Sequence, residues 1–396
     1  MTNTDNCPVC NCCEKEVLDL RSQIPTLQNI TFKTLEEALS FSTGDLSMCQ
    51  CRECGFVWNS LFDESLINYN ADYDNDVSGS EYYNQHLKNM ADKVLTSVPE
   101  GQPIHYVEIG CGQADFLKLV VERSNGRVLT ATGFDPSFSS AEEFDSRVTI
   151  HKSFFDKTCL PLVPEQVNVV CSRHTIEHVK DVRHFLECIS SLMTSPNRKL
   201  IIETPDAEWI LNNVAFQDFF YEHCSLFTAS STQRLLSDYN LEGQISNVYD
   251  GQYLWVEAVS KWSGVKDDLP CRNFDSSLGA EYIKRTTELV SQWSEYIEKQ
   301  SAKGPVAIWG AASKGVTFSL LFLEKSRPMI DYAIDLNVEK QNRYLPKTGV
   351  MVISPEEAAN KNIKTVIVMN PNYQAEILKL AEKLNWNPEF STLNDS

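Results

Sequence analysis

Val107-Glu108-Ile109-Gly110-Cys111-Gly112 reads as the end of a buried strand that turns through two glycines into a helix. His105 to Ile109 is a short, largely apolar run, and after the turn Phe116, Leu117, Val120 and Val121 recur at helical spacing. Glycines at 110 and 112 let the main chain approach a ligand where any side chain would clash. A second strand, Val128 to Phe134, ends in Asp135, an acceptor placed where a ribose presents its hydroxyls. The dinucleotide fingerprint needs a third glycine, and Asp115 stands there instead. The turn therefore suits a cofactor without a pyrophosphate, touched by Glu108, Gly110, Cys111, Gly112 and Asp135.

Outward from this turn, strands at 105–109, 128–134, 148–152, 167–172 and 199–203 alternate with helical runs, which predicts a parallel, doubly wound α/β sheet. Runs at 243–248 and 252–259 lack a long crossover and read as an antiparallel pair closing that sheet. Ser80 to Val98 is helical in pattern, as is Ser277 to Gln300. A second unit then begins: a strand at Pro305 to Trp309, the turn Gly310-Ala-Ala-Ser-Lys-Gly315, and a helix from Val316 to Leu323. A strand from Met329 to Ile334 ends at Asp335, and another spans Thr365 to Met369. The expected division is a small zinc-binding domain over 1–70, the first α/β domain over 71–265, and a second Rossmann-like domain over 266–396.

The 396 residues carry 54 acidic and 35 basic side chains, a net charge of −19. Such a field repels nucleic acid and anionic membranes, so neither is an expected partner. No stretch approaches the roughly 18 apolar residues of a membrane span. Met1 to Asn6 is polar, which reads as no export signal, and the expected location is the cytoplasm. Thirteen cysteines then argue for metal ligation or burial rather than disulfides. Cys7-Pro-Val-Cys10 and Cys51-Arg-Glu-Cys54-Gly55 form two C-x-x-C knuckles, each able to present two thiolates to a tetrahedral zinc. With no open position, this Zn2+ site reads as structural, with a small subdomain strung between its halves. Cys12, Cys13 and Cys49 lie near enough in sequence to compete.

Three further segments carry polar chemistry. Phe154-Phe155-Asp156 follows the third strand, with an aromatic ring to stack on an adenine and a carboxylate for its amine. The fourth strand leads into Arg173-His174-Thr-Ile-Glu177-His178-Val179 at the carboxyl edge of the sheet, where ligands bind. After the fifth strand, Tyr221-Glu222-His223 sets phenol, carboxylate and imidazole side by side before a helix starting near Ser230. That trio suits proton abstraction next to a carbonyl, with imidazole as base. In the second unit, Lys314 sits in a turn that can meet a phosphate or keto oxygen. Read alone, that turn with Asp335 suggests a nicotinamide enzyme.

The E-I-G-C-G turn resembles the first motif of the class I S-adenosylmethionine-dependent methyltransferases, and Glu177-His178-Val179 resembles the segment after their fourth strand. His174 departs from the small polar residue usual there. Paired cysteine knuckles, E-I-G-C-G, E-H-V, Y-E-H, Gly251-Gln252-Tyr253-Leu254 and G-A-A-S-K-G occur in this order in one family. The chain as a whole resembles the C-methyltransferases of nucleotide-linked deoxysugars. The resemblance implies methyl transfer from S-adenosylmethionine to the carbon beside a 4-keto group, with His223 as base and Glu222, Tyr221 and His178 around it. Phe155, Asp156 and His174 would join the cofactor site. Tyr73, Lys314, Arg343 and Asn370 would hold the sugar nucleotide, although Asn75 and Asp76 stand where the family carries aromatics. The alternatives left open are O- or N-methyl transfer and, with the second turn as its site, a nicotinamide-dependent oxidoreductase. The partner is a small-molecule substrate, and the protein a monomer or homodimer.

Overall fold

The structure, a computed structural model, describes residues 6–67, 79–140, 145–261, 274–324 and 327–393. Its centre is a seven-stranded sheet. Strands β4 (Ile104–Ile109), β5 (Val128–Phe134), β6 (Val148–His151), β7 (Val169–Arg173) and β8 (Lys199–Pro205) run parallel. Strands β10 (Leu241–Val248) and β11 (Tyr253–Ser260) form a hairpin that adds antiparallel to β8. The spatial order is β10-β11-β8-β7-β4-β5-β6. Counted from β4, this is 3-2-1-4-5-7-6, the order of the class I methyltransferase fold. Strand order reverses between β4 and β7, so the ligand crevice of such a sheet lies at their carboxyl ends.

Helices α2 (Glu81–Thr96) and α3 (Asp115–Arg123) cover one face. Met90, Ala91, Val94 and Leu95 of α2 and Phe116, Leu117, Val120 and Val121 of α3 are buried together, at the spacing that puts them on one side of each helix. Helices α4 (Val182–Ser190) and α6 (Ala229–Asp238) pack the other face through Phe185, Leu186, Ile189, Leu235 and Leu236.

A second sheet, with order β16-β15-β12-β17-β18, is parallel throughout. Its strands are β12 (Val306–Trp309), β15 (Tyr332–Ile334), β16 (Met351–Ile353), β17 (Thr365–Val368) and β18 (Glu389–Thr392). A short hairpin, β13 (Leu323–Glu324) with β14 (Arg327–Pro328), precedes β15. Helices α7 (Leu278–Ser301), α8 (Ser313–Leu321), α9 (Pro355–Asn360) and α10 (Gln374–Lys383) complete this unit. Its strand order, 3-2-1-4-5 counted from β12, again reverses between the first strand and the fourth.

The N-terminal part is more than a small subdomain strung between the knuckles. Strands β1 (Lys15–Pro25) and β2 (Thr43–Cys51) pair over most of their length, with α1 (Leu35–Ser40) in their connection, and β3 (Val57–Asn59) follows. The fourth strand of that sheet comes from far along the chain: β9 (Ser225–Leu226), which pairs Leu226 with Val57. The insertion after β8, which includes α5 (Ala207–Asn212), is thereby stitched to the N-terminal sheet. Among the boundaries that move, two bear on the site. Strand β7 extends one residue past the expected end, so Arg173 lies inside it, and α8 starts at Ser313, so Lys314 occupies a helical first turn rather than the loop.

Candidate active site

Gly110 and Gly112 both adopt positive φ (+76° and +54°), as the tight turn requires. A Cβ at Gly110 would stand 2.0 Å from the Thr175 hydroxyl, whereas none would touch anything within 4 Å at Gly112. The turn is therefore closed against the segment that follows β7 on one side and open on the other. Asp135 secures it: one carboxylate oxygen accepts from the Gly112 amide at 2.8 Å, and the other from the amide and hydroxyl of Ser137. A carboxylate offers about four acceptor positions, so Asp135 keeps capacity for a ribose but spends most of it on the loop. Glu108 is buried, bonded by the Tyr106 hydroxyl at 2.9 Å, and burial raises its carboxyl to about 7. Burial likewise pushes the Cys111 thiol up.

In the segment expected to flank an adenine, Phe155 packs inside, its ring centroid 5.1 Å from that of Phe134, while Phe154 is 71% exposed. Asp156 caps the short helical turn after it, accepting from the Thr158 amide and hydroxyl, and the Thr158 hydroxyl lowers its pKa.

Tyr221, Glu222 and His223 do not converge. Because β9 joins the N-terminal sheet, the preceding residues are pulled onto it. The Tyr221 hydroxyl accepts from the Asp63 amide at 2.9 Å, with its ring against Gly44, and Glu222 accepts from the Gln28 amide at 2.7 Å. His223 alone turns toward the sheet edge. Its ring lies 3.9 Å from Phe220 and 5.0 Å from His178, centroid to centroid, and its Nδ1 is buried without a hydrogen-bond partner. The polar group actually assembled here is Glu177, His178 and His223, whose ligand atoms lie within 4.8 Å of one another and could hold a metal ion. The Glu177 carboxylate accepts from the Thr204 hydroxyl at 3.0 Å and contacts His174 Nδ1 at 3.3 Å, and the His178 ring bonds the Glu222 carbonyl. Burial, then the neighbouring His178, His174 and Lys314, push His223 well below the imidazole range; burial first also lowers His178. Both rings are neutral near neutral pH.

Across from these imidazoles stands the switch point of the second sheet. Lys314 Nζ lies 3.0 Å from Asp218 and 3.4 Å from the Gln252 side-chain oxygen, and 5.7 Å from the Trp209 ring centre. Gln252 donates to Asn370 at 3.3 Å. Lys314 and Asn370, chosen from sequence, are thus brought together, but the ammonium is paired by an acid of the insertion. Arg343 is not with them: its carbonyl pairs with Val352, and Tyr344 bridges to Phe32. Tyr73 lies outside the described residues.

Several site residues escaped the sequence reading. Arg173 Nε bonds Glu203 at 2.5 Å, His86 Nε2 bonds the other Glu203 oxygen at 2.6 Å, and the guanidinium lies 4.0 Å from the Phe116 ring centre. Burial opposes it, yet the Arg173 charge and the His86 bond hold the Glu203 carboxyl well below its usual range. Tyr249 and Tyr253 stack at 4.9 Å beside His86, and the Tyr249 hydroxyl donates to Tyr373 of the second unit at 2.8 Å. The one available signal was an arginine ending an otherwise apolar run at 167–172.

At the other end of the molecule, the knuckles close on each other. Cys7 and Cys54 sulfurs are 3.6 Å apart, those of Cys10 and Cys51 are 3.4 Å apart, and all four lie within 4.8 Å. A tetrahedral zinc with Zn–S of about 2.3 Å separates its sulfurs by roughly 3.8 Å, so the four fit one ion. Cys49 instead contacts the Ser60 hydroxyl, Cys12 the Glu14 backbone, and Cys13 is exposed.

Residues 82–244 match the methyltransferase domain family, and residues 275–392 match the C-methyltransferase C-terminal domain family. Over 319 residues, 74% of this chain and 73% of the relative, the sequence is 23% identical to the C-methyltransferase NovU of Streptomyces niveus. Two solved methyltransferase structures show weaker likeness. One is the magnesium protoporphyrin IX methyltransferase of Synechocystis PCC 6803 with bound S-adenosylhomocysteine: TM-score 0.33, 12% identity, 45% of this chain and 84% of that one. The other is human N-acetylserotonin methyltransferase with S-adenosylmethionine: TM-score 0.35, 16% identity, 45% and 55%. With one family covering the five parallel strands of the central sheet and the other the C-terminal unit, the chain belongs to the S-adenosylmethionine-dependent C-methyltransferases.

Proposed function

We propose that the protein methylates a carbon next to the keto group of a nucleotide-linked sugar, with His223 as general base. The observation that carries this reading is the His223 imidazole itself: neutral, with an unpartnered Nδ1, set between the carboxyl edge of the methyltransferase sheet and Lys314 of the second unit. Residues 108–112 would hold S-adenosylmethionine, which would supply an electrophilic methyl on a sulfonium with the neutral thioether as leaving group. His223 accepts the proton from the acidic carbon and so leaves that carbon an electron pair to take the methyl. His178 lies against the base and fixes its ring. Lys314, Gln252 and Asn370 form a polar patch suited to a keto oxygen or a phosphate, with Asp218 holding the ammonium in place.

In the same reading, Cys7, Cys10, Cys51 and Cys54 hold one structural zinc, residues 1–70, 71–265 and 266–396 act as three domains, and the protein works in the cytoplasm. Among the described residues, no helix is long and apolar enough to cross a membrane. Base catalysis at carbon predicts that the enzyme, in deuterated water, exchanges deuterium into the acceptor beside its keto group, and that His223→Ala abolishes the exchange. Methyl transfer without wash-in, to an oxygen or nitrogen, would refute the carbon reading. Elemental analysis should find one zinc per chain, lost in Cys51→Ser; a second equivalent that survives Cys51→Ser would place a metal on Glu177, His178 and His223.

A further inference from the structure

Arg173 is the one charged side chain at the carboxyl tip of β7, and it is 92% buried, from its 8% exposure. Burying a guanidinium is costly unless each part of it is paired. Its Nε is taken by Glu203, and its face rests on Phe116. Its Nη2, however, is buried with no hydrogen-bond partner. The next residue repeats the pattern: His174 Nε2 is also buried and unpartnered, and His174 holds a φ of +47°, a strained conformation for a side chain of that size. Two orphaned polar atoms on consecutive residues, one on strained backbone, mark a place where a polar ligand group belongs.

The sheet register says which ligand. Glu108 pairs with Cys171 and Ile109 with Ser172, so Arg173 is level with Gly110, the first residue of the open turn. Phe116, under the guanidinium, is on the first turn of α3, which leaves that same glycine turn. His86 and Tyr83 of α2 wall the other side, 6.0 Å apart ring to ring; the Tyr83 side chain hydrogen-bonds the guanidinium, and Nη2 is the part left without a partner. The adenosine end of the donor belongs toward Asp135 and the exposed Phe154, on β5 and beyond β6. The opposite end of the donor, its amino-acid group, then falls by β7 and α2. That end carries a carboxylate. Glu203 does not cancel the site, because it consumes only Nε and is itself shared with His86.

We infer that Arg173 Nη2 binds the carboxylate of the methyl donor, with His174 Nε2 as a second polar contact, and that Glu203 and His86 are positioning residues that hold the guanidinium in that orientation. The inference rests on the assignment of the 108–112 turn to S-adenosylmethionine. A charge-assisted bond to a buried guanidinium discriminates strongly between ligands that have and lack the anion.

Calorimetric titration of S-adenosylmethionine and of its decarboxylated analogue tests this. The wild-type protein should bind the carboxylate-bearing donor about 10- to 100-fold more tightly. In Arg173→Met the two affinities should become equal, while that for the decarboxylated analogue stays near the wild-type value. Arg173→Lys should keep part of the preference, and melting temperatures report whether each variant is folded. If Arg173→Met does not fold, the decision falls to the wild-type preference and its reduction in Arg173→Lys. Equal wild-type affinities, or a preference that survives at position 173 without the guanidinium, would overturn the inference. A preference for the donor that persists while the acceptor KM rises would assign the arginine to an anion of the acceptor instead, and also overturn it. Failure of the wild-type protein to bind either compound would strike the assignment of the turn, a separate result.

Discussion

The chain contains the same nucleotide-type turn twice, and the two copies have opposite fates. In each, a buried parallel strand ends at a positive-φ glycine, Gly110 or Gly310, and an aspartate at the tip of the next strand ties the turn down. Asp135 accepts from the Gly112 amide at 2.8 Å, and Asp335 accepts from the Ala311 amide at 2.8 Å. Each aspartate also accepts from the amide two residues on, Ser137 or Asn337. The difference lies in what stands before the helix. Helix α3 begins from Ala114 with no side-chain cap, and the space at Gly112 is open. Helix α8 meets the side chain of Asn29, which accepts from both the amide and the hydroxyl of Ser313. A Cβ at Gly315 would lie 1.9 Å from the Gly310 carbonyl. At the second turn the protein's own Asn29 takes the donors of the helix start, where a dinucleotide would set its pyrophosphate, and leaves Lys314 on the next residue facing Asp218 and Gln252. A glycine motif reports a backbone shape; what meets the helix start decides which ligand can use it.

The largest expected effect tests what lies between the two turns. His223→Ala should lower turnover by about 10²- to 10⁴-fold, the usual range for a general base, with S-adenosylmethionine affinity unchanged in calorimetry. Because His223 is pushed below 6.5, wild-type turnover should hold across neutral pH and fall only on the acid side of 6.5, a limb absent from the variant. If His223→Ala turns over normally while His178→Ala is dead, the base is His178.

Next in size is the contrast between the aspartates. Asp135→Ala removes a charge-assisted bond to the open turn and should weaken S-adenosylmethionine binding by about 10- to 100-fold. Asp335→Ala should leave that affinity alone, and neither the wild-type protein nor any variant should titrate NAD(H). Binding of NAD(H) would restore the oxidoreductase reading.

The glycines sharpen the contrast further. Gly315→Ala forces a methyl against backbone and should cost about 1–3 kcal/mol of stability, seen by denaturant unfolding, without changing donor affinity in the folded protein. Gly112→Ala meets no neighbour, so its cost is the left-handed backbone, roughly 1–2 kcal/mol, and its main effect should be on donor binding. The reverse pattern would mean the open turn is the second one.

The smallest expected effect is on stability against pH. His178 and His223 titrate lower when folded than the unfolded value near 6.5, so they contribute stability above that pH that is lost as pH falls through 6.5 toward their folded values. The His178→Asn, His223→Asn protein should lose less stability than wild type between pH 6.5 and 5. A steeper loss in the variant would contradict burial as the cause of the shifts.

Much of the architecture was legible because local signals repeat along it. Apolar strands at 105–109 and 128–134, the helical spacing of Phe116 to Val121, and two C-x-x-C knuckles are each contained within a few residues, and hydrophobic burial or metal geometry acts on them directly. The short strands of the second unit, such as Tyr332–Ile334 and Met351–Ile353, were harder, since three residues carry little periodicity. The site was half legible. His223, His178, Lys314 and Asn370 announce themselves by residue type. Arg173, Glu203 and His86 come from three elements separated by long stretches of chain, and nothing local marks their union.

By itself the sequence determined two glycine turns, a cysteine cluster and a consecutive Tyr-Glu-His, because covalent neighbours, turn stereochemistry and side-chain chemistry belong to the chain. Only the tertiary structure decided how they were used. Pairing of β9 with β3 draws Tyr221 and Glu222 onto the N-terminal sheet and leaves His223 to meet His178, and Asn29 closes one turn while the other stays open. Both outcomes follow from burial: a buried strand edge or helix start must find hydrogen-bond partners wherever the fold brings them, and those partners lie about two hundred residues or more away.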